Sequence, residues 1–217
     1  MAESESAKIE TVKGDDITIR FDSSRCVHAR QCVLTLPKVY RANVEGPWIH
    51  PDEASAEANA ALAHNCPSGA IDYERHDGKP GEQAPDVNLV TIRENGPYAI
   101  RAPMKLNGGF IGYRATLCRC GASRNKPYCD GSHAPAGFTA SGEREAEQFT
   151  PLTVRSGDVS IEPQPNGPLA IRGNIEVVTG TGKTVSAKRA LWLCRCGQSA
   201  NKPFCDGTHT KAGFQAA

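Results

Sequence analysis

The residues with the clearest chemical potential are two groups of cysteine and histidine that share one spacing. These groups are Cys118, Cys120, Cys129 and His133, and then Cys194, Cys196, Cys205 and His209. Thiolates and imidazoles are ligands of zinc and of iron-sulfur clusters. Each group therefore predicts a metal centre with three thiolates and one imidazole.

The spacing divides each group into two pairs. The thiols of each Cys-x-Cys pair lie two residues apart, which places both on one face of an extended backbone. The members of each Cys-x3-His pair lie four residues apart, which stacks them on one side of a helical turn. Asp130 and Ser132 can accept backbone N–H bonds at a helix start, and Pro127 and Gly131 favour turns. We therefore expect a ligand loop that leads into a short helix.

The ligand types alone suit a single tetrahedral zinc ion as well as a cluster. Structural zinc sites usually place two to four residues between paired ligands, whereas one residue separates the paired cysteines here. The spacing favours a cluster. A zinc-stabilised interaction module stays open as an alternative.

Both ligand groups belong to a longer internal repeat. Residues 117–133 return as 193–209, residues 95–101 match 166–172, and residues 136–138 match 212–214. Alternating runs at 89–93 and 159–162 end at Asn-Gly-Pro turns, which predicts hairpins. The sequence thus predicts two small β-rich modules, at 85–145 and 150–217.

Two further turn segments lie inside the repeats, at 107–109 and 180–184. The second, Gly-Thr-Gly-Lys-Thr, has some likeness to a phosphate-binding loop. That pattern needs a glycine where the chain has Val177, and no βαβ unit surrounds it. A hairpin tip is the better interpretation.

The repeated motif resembles the CDGSH iron-sulfur domain of the mitoNEET type. Both copies match at every ligand and at four further pairs of positions: Ser123 and Ser199, Pro127 and Pro203, Asp130 and Asp206, and Gly131 and Gly207. Thr208 replaces the serine of the motif, which is a conservative departure. The resemblance implies tandem copies that pair within a monomer as a pseudo-dimer with internal twofold symmetry.

The resemblance also implies one 2Fe-2S cluster in each copy. In the first copy, Cys118 and Cys120 bind the inner iron, and Cys129 and His133 bind the outer iron. In the second copy the corresponding pairs are Cys194 with Cys196, and Cys205 with His209. A neutral imidazole in place of a thiolate removes negative charge, which favours accepting an electron. Because protons compete for the imidazole, it also links cluster stability to pH.

The segment before the repeats carries Cys26, Cys32 and Cys66. A bacterial ferredoxin has Cys-x2-Cys-x2-Cys and a distant Cys-Pro; here Ala29 stands at the middle cysteine position. The segment resembles a divergent mono-cluster 4Fe-4S ferredoxin domain. Three cysteines suit a 3Fe-4S cluster, or a 4Fe-4S cluster whose fourth ligand is water or another side chain. His28 is a less favoured ligand, and a metal-free fold stays open.

The N-terminal segment, residues 1–80, is predicted to have an α+β fold. Residues 17–21 predict a strand, and residues 51–64 are rich in helix formers. A Gly/Pro-rich stretch at 76–86 reads as a linker to the repeats. His50, His64 and His76 have no ligand-like spacing. The fold class expected for the whole chain is α+β.

Composition limits the cellular compartment and the partners that we expect for the protein. The chain has 217 residues, nine cysteines and a net charge of +1. It has no signal-peptide pattern or long apolar span, and its acidic N-terminus argues against a transit peptide. The expected protein is cytoplasmic, with reduced thiols and without membrane or nucleic-acid partners.

No catalytic constellation is visible: neither a nucleophile with a base nor paired carboxylates. We expect a non-enzymatic protein that transfers single electrons to a redox partner. Storage of clusters and their delivery to an acceptor protein is the alternative. Four cations inside the motifs either offset cluster charge or are solvated surface groups: Arg119, Lys126, Arg195 and Lys202.

Overall fold

The computed structural model describes residues 9–216, and the chain divides into two compact units between Gln83 and Ala84. This division falls within the Gly/Pro-rich stretch at 76–86. The acidic residues 1–8, on which the argument against a transit peptide rests, lie outside the described residues. In the described part of the chain, no helix combines the length and apolar character needed to cross a bilayer.

The first unit is a three-stranded antiparallel sheet with two helices. Its strands are β1 (Ile9–Lys13), β2 (Ile17–Asp22) and β3 (Ile71–Arg75), in the order β1-β2-β3; its helices are α1 (Gln31–Thr35) and α2 (Ala56–Asn65). The predicted strand at 17–21 is β2. The connection from the sheet to the cysteines is short, because Cys26 follows a 3-10 turn directly after β2.

Helix α2 begins later than the helix-forming composition suggests. Pro51–Glu53 forms a separate 3-10 turn, and Ser55 then caps the helix by accepting the Ala58 N–H at 3.2 Å. The buried face of α2, which includes Leu62 and Ala63, belongs to the same core as the β2 isoleucines. This packing fixes the helix whose C-terminal end leads directly to Cys66.

The second unit contains both sequence repeats. Its strands are β4 (Leu89–Ile92), β5 (Tyr98–Leu106), β6 (Gly109–Leu117), β7 (Val159–Pro163), β8 (Leu169–Val178) and β9 (Thr184–Leu193), followed by α3 (Thr208–Lys211). Each repeat forms an antiparallel meander, β4-β5-β6 or β7-β8-β9. The predicted hairpins are present, and residues 180–183 form the hairpin tip between β8 and β9.

The two meanders join reciprocally into one six-stranded sheet. Strand β4 runs parallel to β8, with Leu89 opposite Glu176, and β7 runs parallel to β5, with Val159 opposite Met104. The first strand of each repeat therefore pairs with the middle strand of the other. Buried aliphatic side chains from both repeats form a single core. The described chain mixes helix and strand, as expected for the α+β class.

Candidate metal centres

The Cys-x-Cys pairs lie directly after the last strand of each repeat. After β6, the Sγ atoms of Cys118 and Cys120 are 3.8 Å apart, and the Cys118 N–H donates to Pro127 O at 2.8 Å. After β9, the Sγ atoms of Cys194 and Cys196 are 3.7 Å apart. The structure therefore brings together each predicted thiol pair.

The outer pair of the first repeat is also assembled. Cys129 Sγ lies 3.4 Å from His133 Nδ1. The loop between them is held by Asp130, whose carboxylate accepts the Ser132 N–H at 3.0 Å and the Arg124 N–H at 2.8 Å. Burial opposes ionisation of Asp130, but hydrogen bonds from Ser132 and Arg124 outweigh it and lower the pKa of the carboxyl.

The prediction that one helical turn stacks the outer pair is wrong in detail. Gly131 has a φ of +85° and separates Cys129 from the turn that carries His133. In the second repeat Gly207, with a φ of +84°, precedes α3 in the same way. Left-handed glycines redirect the chain between the two ligands, so the pair approaches through a loop and a turn.

These donor distances fit paired binding to one tetrahedral metal. Two ligands about 2.3 Å from such a metal lie about 3.7 Å apart, and replacing one thiolate by an imidazole shortens the separation slightly. The measured separations of 3.8, 3.7 and 3.4 Å match this expectation. Among residues 9–216, no three or more Cys, His, Asp or Glu side chains converge on one ion. Donors arranged as separate pairs suit a two-iron centre better than a single zinc ion.

The second outer pair has a different arrangement. His209 Nδ1 lies 3.5 Å from Thr210 Oγ1, and Cys205 Sγ accepts the Gly207 N–H at 3.4 Å. Ala134 occupies the position of Thr210 in the first repeat, so only the second histidine is followed by a residue with a hydroxyl group.

Backbone N–H groups donate to one thiol of each candidate ligand pair. Four such bonds, each 3.4 Å long, run from Ala122 to Cys120, from Gly131 to Cys129, from Gln198 to Cys196 and from Gly207 to Cys205. Hydrogen bonds to the ligand sulfurs are one of the means by which proteins set cluster potentials. The ligand loops therefore supply dipoles that stabilise anionic sulfur.

Burial raises the pKa of two candidate thiols of these sites. The pKa of Cys129 and of Cys194 is raised to about 11, chiefly by desolvation. Cys118 and Cys120 share a proton, because the remaining S–H bonds to the thiolate; this lowers the pKa of Cys118 and raises that of Cys120. Metal binding at these sites must therefore displace protons.

Two motif arginines are not surface cations. Arg119 and Arg195 are each 1% exposed. The Arg119 guanidinium donates to Arg93 O at 2.7 Å and to Ser141 O at 2.6 Å. Burial lowers the pKa of both arginines. The alternative of solvated cations is wrong for this pair, because their carbonyl partners replace water.

The two lysines hold the ligand loops more locally. Lys126 Nζ donates to Ser123 O at 2.6 Å, and Lys202 Nζ donates to Ser199 O at 2.5 Å. Each serine is 1–2% exposed. The lysine ammonium groups therefore fasten the loop that leads to the proline and the third cysteine of each motif.

The two inner ligand loops pack against each other through glycine. A Cβ atom on Gly121 would lie 2.6 Å from Cys196 O, and one on Gly197 would lie 2.5 Å from Cys120 O. Both glycines also have φ near +80°. Only glycine permits this reciprocal approach, so the two centres share a backbone contact.

Tyr98 is a residue of the sites that sequence reasoning missed. It is fully buried, and its hydroxyl donates to Cys194 O and to Pro203 O, both at 2.9 Å. A signal existed in the sequence: Tyr98 aligns with Leu169 in segments that otherwise match between the repeats. Burial raises the pKa of Tyr98 well above its usual value, so the hydroxyl remains a donor.

In the first unit, one small cavity gathers the three remaining cysteines. Cys26, Cys32 and Cys66 line it together with Ala29, which occupies the position of the missing ferredoxin cysteine. Burial raises the pKa of Cys26 and Cys32. His28 does not line the cavity and is exposed, although its N–H donates to Cys26 Sγ at 3.4 Å. The structure therefore brings the three predicted ligands of this unit to one space.

The other histidines of this unit have different partners. His50 Nε2 lies 3.0 Å from Pro47 O, His64 Nε2 lies 2.8 Å from the Tyr73 hydroxyl, and His76 Nε2 lies 2.8 Å from Thr18 Oγ1. These contacts tie loops and helix α2 to the sheet. They agree with the absence of ligand-like spacing in the sequence.

Comparison with known families defines the class of protein. The family described as iron-binding zinc finger CDGSH type matches residues 95–134 and 166–210, and the divergent 4Fe-4S mono-cluster family matches residues 12–76. No curated protein is significantly similar to the chain. The chain is an iron-sulfur protein. More particularly, it carries tandem CDGSH regions behind a divergent mono-cluster region.

Proposed function

We propose that the protein is a one-electron carrier with two 2Fe-2S clusters held by Cys3His sites. The observation that carries this proposal is the arrangement of the first site's ligands as two donor pairs. Cys118 with Cys120, and Cys129 with His133, have the separations expected of two ligands on one tetrahedral iron. When bound, each cluster would accept and return one electron.

The surrounding residues suit a redox role. Backbone N–H groups donate to Cys120 and Cys129, and a neutral imidazole takes the place of a fourth thiolate. The imidazole removes one negative charge from the site, and the N–H dipoles stabilise the charge that remains. Both effects favour the reduced state. Arg119 and Arg195 are buried and already held in place, so they bring positive charge near both inner ligand loops without losing side-chain mobility.

We assign the second site to Cys194, Cys196, Cys205 and His209, because its inner thiols lie 3.7 Å apart and its sequence repeats that of the first site. We further propose that the two repeats form a pseudo-dimer within a monomer. The reciprocal pairing of β4 with β8 and of β7 with β5 supports this proposal. So does the mutual approach of the Gly121 and Gly197 loops.

For the first unit, we propose a third centre held by Cys26, Cys32 and Cys66. Three thiols around one cavity suit a 3Fe-4S cluster, or a 4Fe-4S cluster with one non-cysteine ligand. The match to a mono-cluster family supports this assignment.

We propose that the protein is not an enzyme and that its partner is a redox protein, which it meets in a reducing compartment such as the cytoplasm. All nine cysteines are free thiols, which suits such a compartment. Neither nucleic acid nor membrane is proposed as a partner.

Electron transfer is tested by reversible reduction of the loaded full chain. Visible absorption and bound iron are measured through several cycles of chemical reduction and reoxidation. The proposal predicts that absorption bleaches and returns while iron stays constant. Loss of iron at the first reduction would contradict a carrier role. Cys129→Ser is the matched variant, which should remove one centre and leave the other reversible.

Delivery of clusters is the second candidate, and the position of the second histidine favours it. His209 lines a surface cavity with Asn166 and Phe214. A ligand at an opening gives an acceptor protein access to the outer iron. The loaded protein is mixed with an apo-ferredoxin, and iron and sulfide are followed. Transfer of both to the acceptor would favour delivery over electron transfer.

A further inference from the structure

The two candidate 2Fe-2S sites differ in one buried hydrogen-bond donor. Tyr98 comes from the first repeat, but its hydroxyl donates to two carbonyls of the second repeat's ligand loop, Cys194 O and Pro203 O. Both carbonyls flank the inner ligands of the second site. The donor therefore crosses from one repeat to the other.

The reciprocal position carries no such donor. Leu169 matches Tyr98 in the repeat and in register: Tyr98 lies opposite Leu117 in the β5–β6 ladder, and Leu169 lies opposite Leu193 in the β8–β9 ladder. Both side chains are 0% exposed, so water does not stand in for the missing hydroxyl at Leu169. Tyr98 thus presents an O–H dipole to the second ligand loop, whereas the matching position of the second repeat has only an aliphatic side chain.

We propose that Tyr98 is a positioning residue that makes the two centres inequivalent, so that the second centre accepts the first electron. This inference rests on the proposed redox function. The sign follows from electrostatics: an O–H dipole with its positive end toward the ligand loop stabilises added negative charge there. Burial strengthens the effect, because little solvent screens it.

The inner ligand loops of the two sites are in contact, which bears on where an electron resides. Gly121 lies against Cys196 O, and Gly197 lies against Cys120 O. Electrons can therefore redistribute between the centres through contacting backbone. A singly reduced molecule should hold its electron on the second centre, whichever centre received it.

The test is a potentiometric titration of the loaded full chain, followed by low-temperature EPR of the reduced 2Fe-2S centres. Wild type should show two waves of equal amplitude. Tyr98→Phe removes one oxygen atom and should move the upper wave toward the lower one. Tyr113→Phe, which alters a half-buried tyrosine packed on Phe110, is the matched control and should leave both waves in place. A single wild-type wave, or a Tyr98→Phe titration identical to wild type, would overturn the proposal.

A second pair of variants assigns the waves without altering Tyr98, in case Tyr98→Phe does not retain its clusters. A thiolate in place of a ligand histidine lowers the potential of its own centre. His209→Cys should therefore move the upper wave, and His133→Cys should move the lower one. If His209→Cys instead moves the lower wave and His133→Cys the upper one, the inference is overturned while the redox function stays intact. An EPR-silent protein at every potential would instead remove the redox function itself.

Discussion

At the level of single residues, the imidazoles of His133 and His209 distinguish these sites from all-thiolate ones. Both histidines are half-buried, and Cys129 Sγ already lies 3.4 Å from His133 Nδ1. Protons and iron compete for an imidazole nitrogen, whereas a thiolate binds as an anion and holds iron more tightly. We therefore expect mild acid to release the cluster by protonating the ligand histidine.

We predict that His133→Cys or His209→Cys slows the loss of visible absorption in mild acid, at pH about 5.5. The same substitution should lower the reduction potential of its centre, because the added negative charge opposes reduction. Absorption decay and redox titration are measured on the same preparations. Decay as fast as in wild type would show that histidine does not bind the outer iron.

A second residue-scale prediction concerns Ala29, which lines the cavity shared by Cys26, Cys32 and Cys66. Ala29→Cys should supply the missing thiolate and complete a four-cysteine set. The EPR signal of the first unit should then become that of a 4Fe-4S centre. Ala29→Ser controls for the change in size. Replacing Cys26 by Ser should remove this signal, and an unchanged iron content would support a metal-free unit.

Among the structural elements, the ligand loops depend on glycines that let them meet. A Cβ on Gly121 would lie 2.6 Å from Cys196 O, a backbone atom that cannot move aside by rotating a side chain. One substitution in the first repeat therefore strains the second. The contact joins the loops that follow β6 and β9, two strands that do not pair with each other in the sheet.

We predict that Gly121→Ala destabilises both centres, by about 1–3 kcal/mol beyond the cost of its backbone conformation. Gly182→Ala is the matched control, because Gly182 also has a positive φ but no atom within 4 Å of the added Cβ. The midpoint of thermal bleaching is measured for both variants. Equal midpoints would show that the loops do not constrain each other.

Much of the element structure could be predicted from the sequence, because local signals determine it. Alternating runs and Asn-Gly turns gave the hairpins, and the Cys-x-Cys spacing gave the thiol pairs. The additional pairing of β4 with β8 and of β7 with β5 could not be predicted, since both repeats carry the same pattern. The burial of Arg119 could not be predicted either, because it depends on partners distant in sequence such as Ser141.

On the scale of the whole molecule, both centres belong to one unit with one sheet and one core. The first unit has its own core, built on β2 and α2. Separate cores, with a division between Gln83 and Ala84, indicate separate folding. The reciprocal pairing also implies that neither repeat is complete without the other.

We therefore predict that a fragment of residues 84–217 folds and binds both 2Fe-2S clusters, because metal ligation adds folding energy to a complete core. A fragment of residues 84–145 is the comparison, and it should fail to fold, because β4 loses its β8 partner. Iron content and circular dichroism are measured for each. If the longer fragment is insoluble or loses iron that the full chain retains, the units are not independent.

Metal analysis is the most direct test of whether the Cys3His sites hold iron-sulfur clusters. Freshly purified fragment 84–217 is assayed for iron, acid-labile sulfide and zinc, together with its visible spectrum. We predict a red-brown protein with about four irons and about four sulfides per chain, two of each per cluster. A colourless protein with stoichiometric zinc would contradict it.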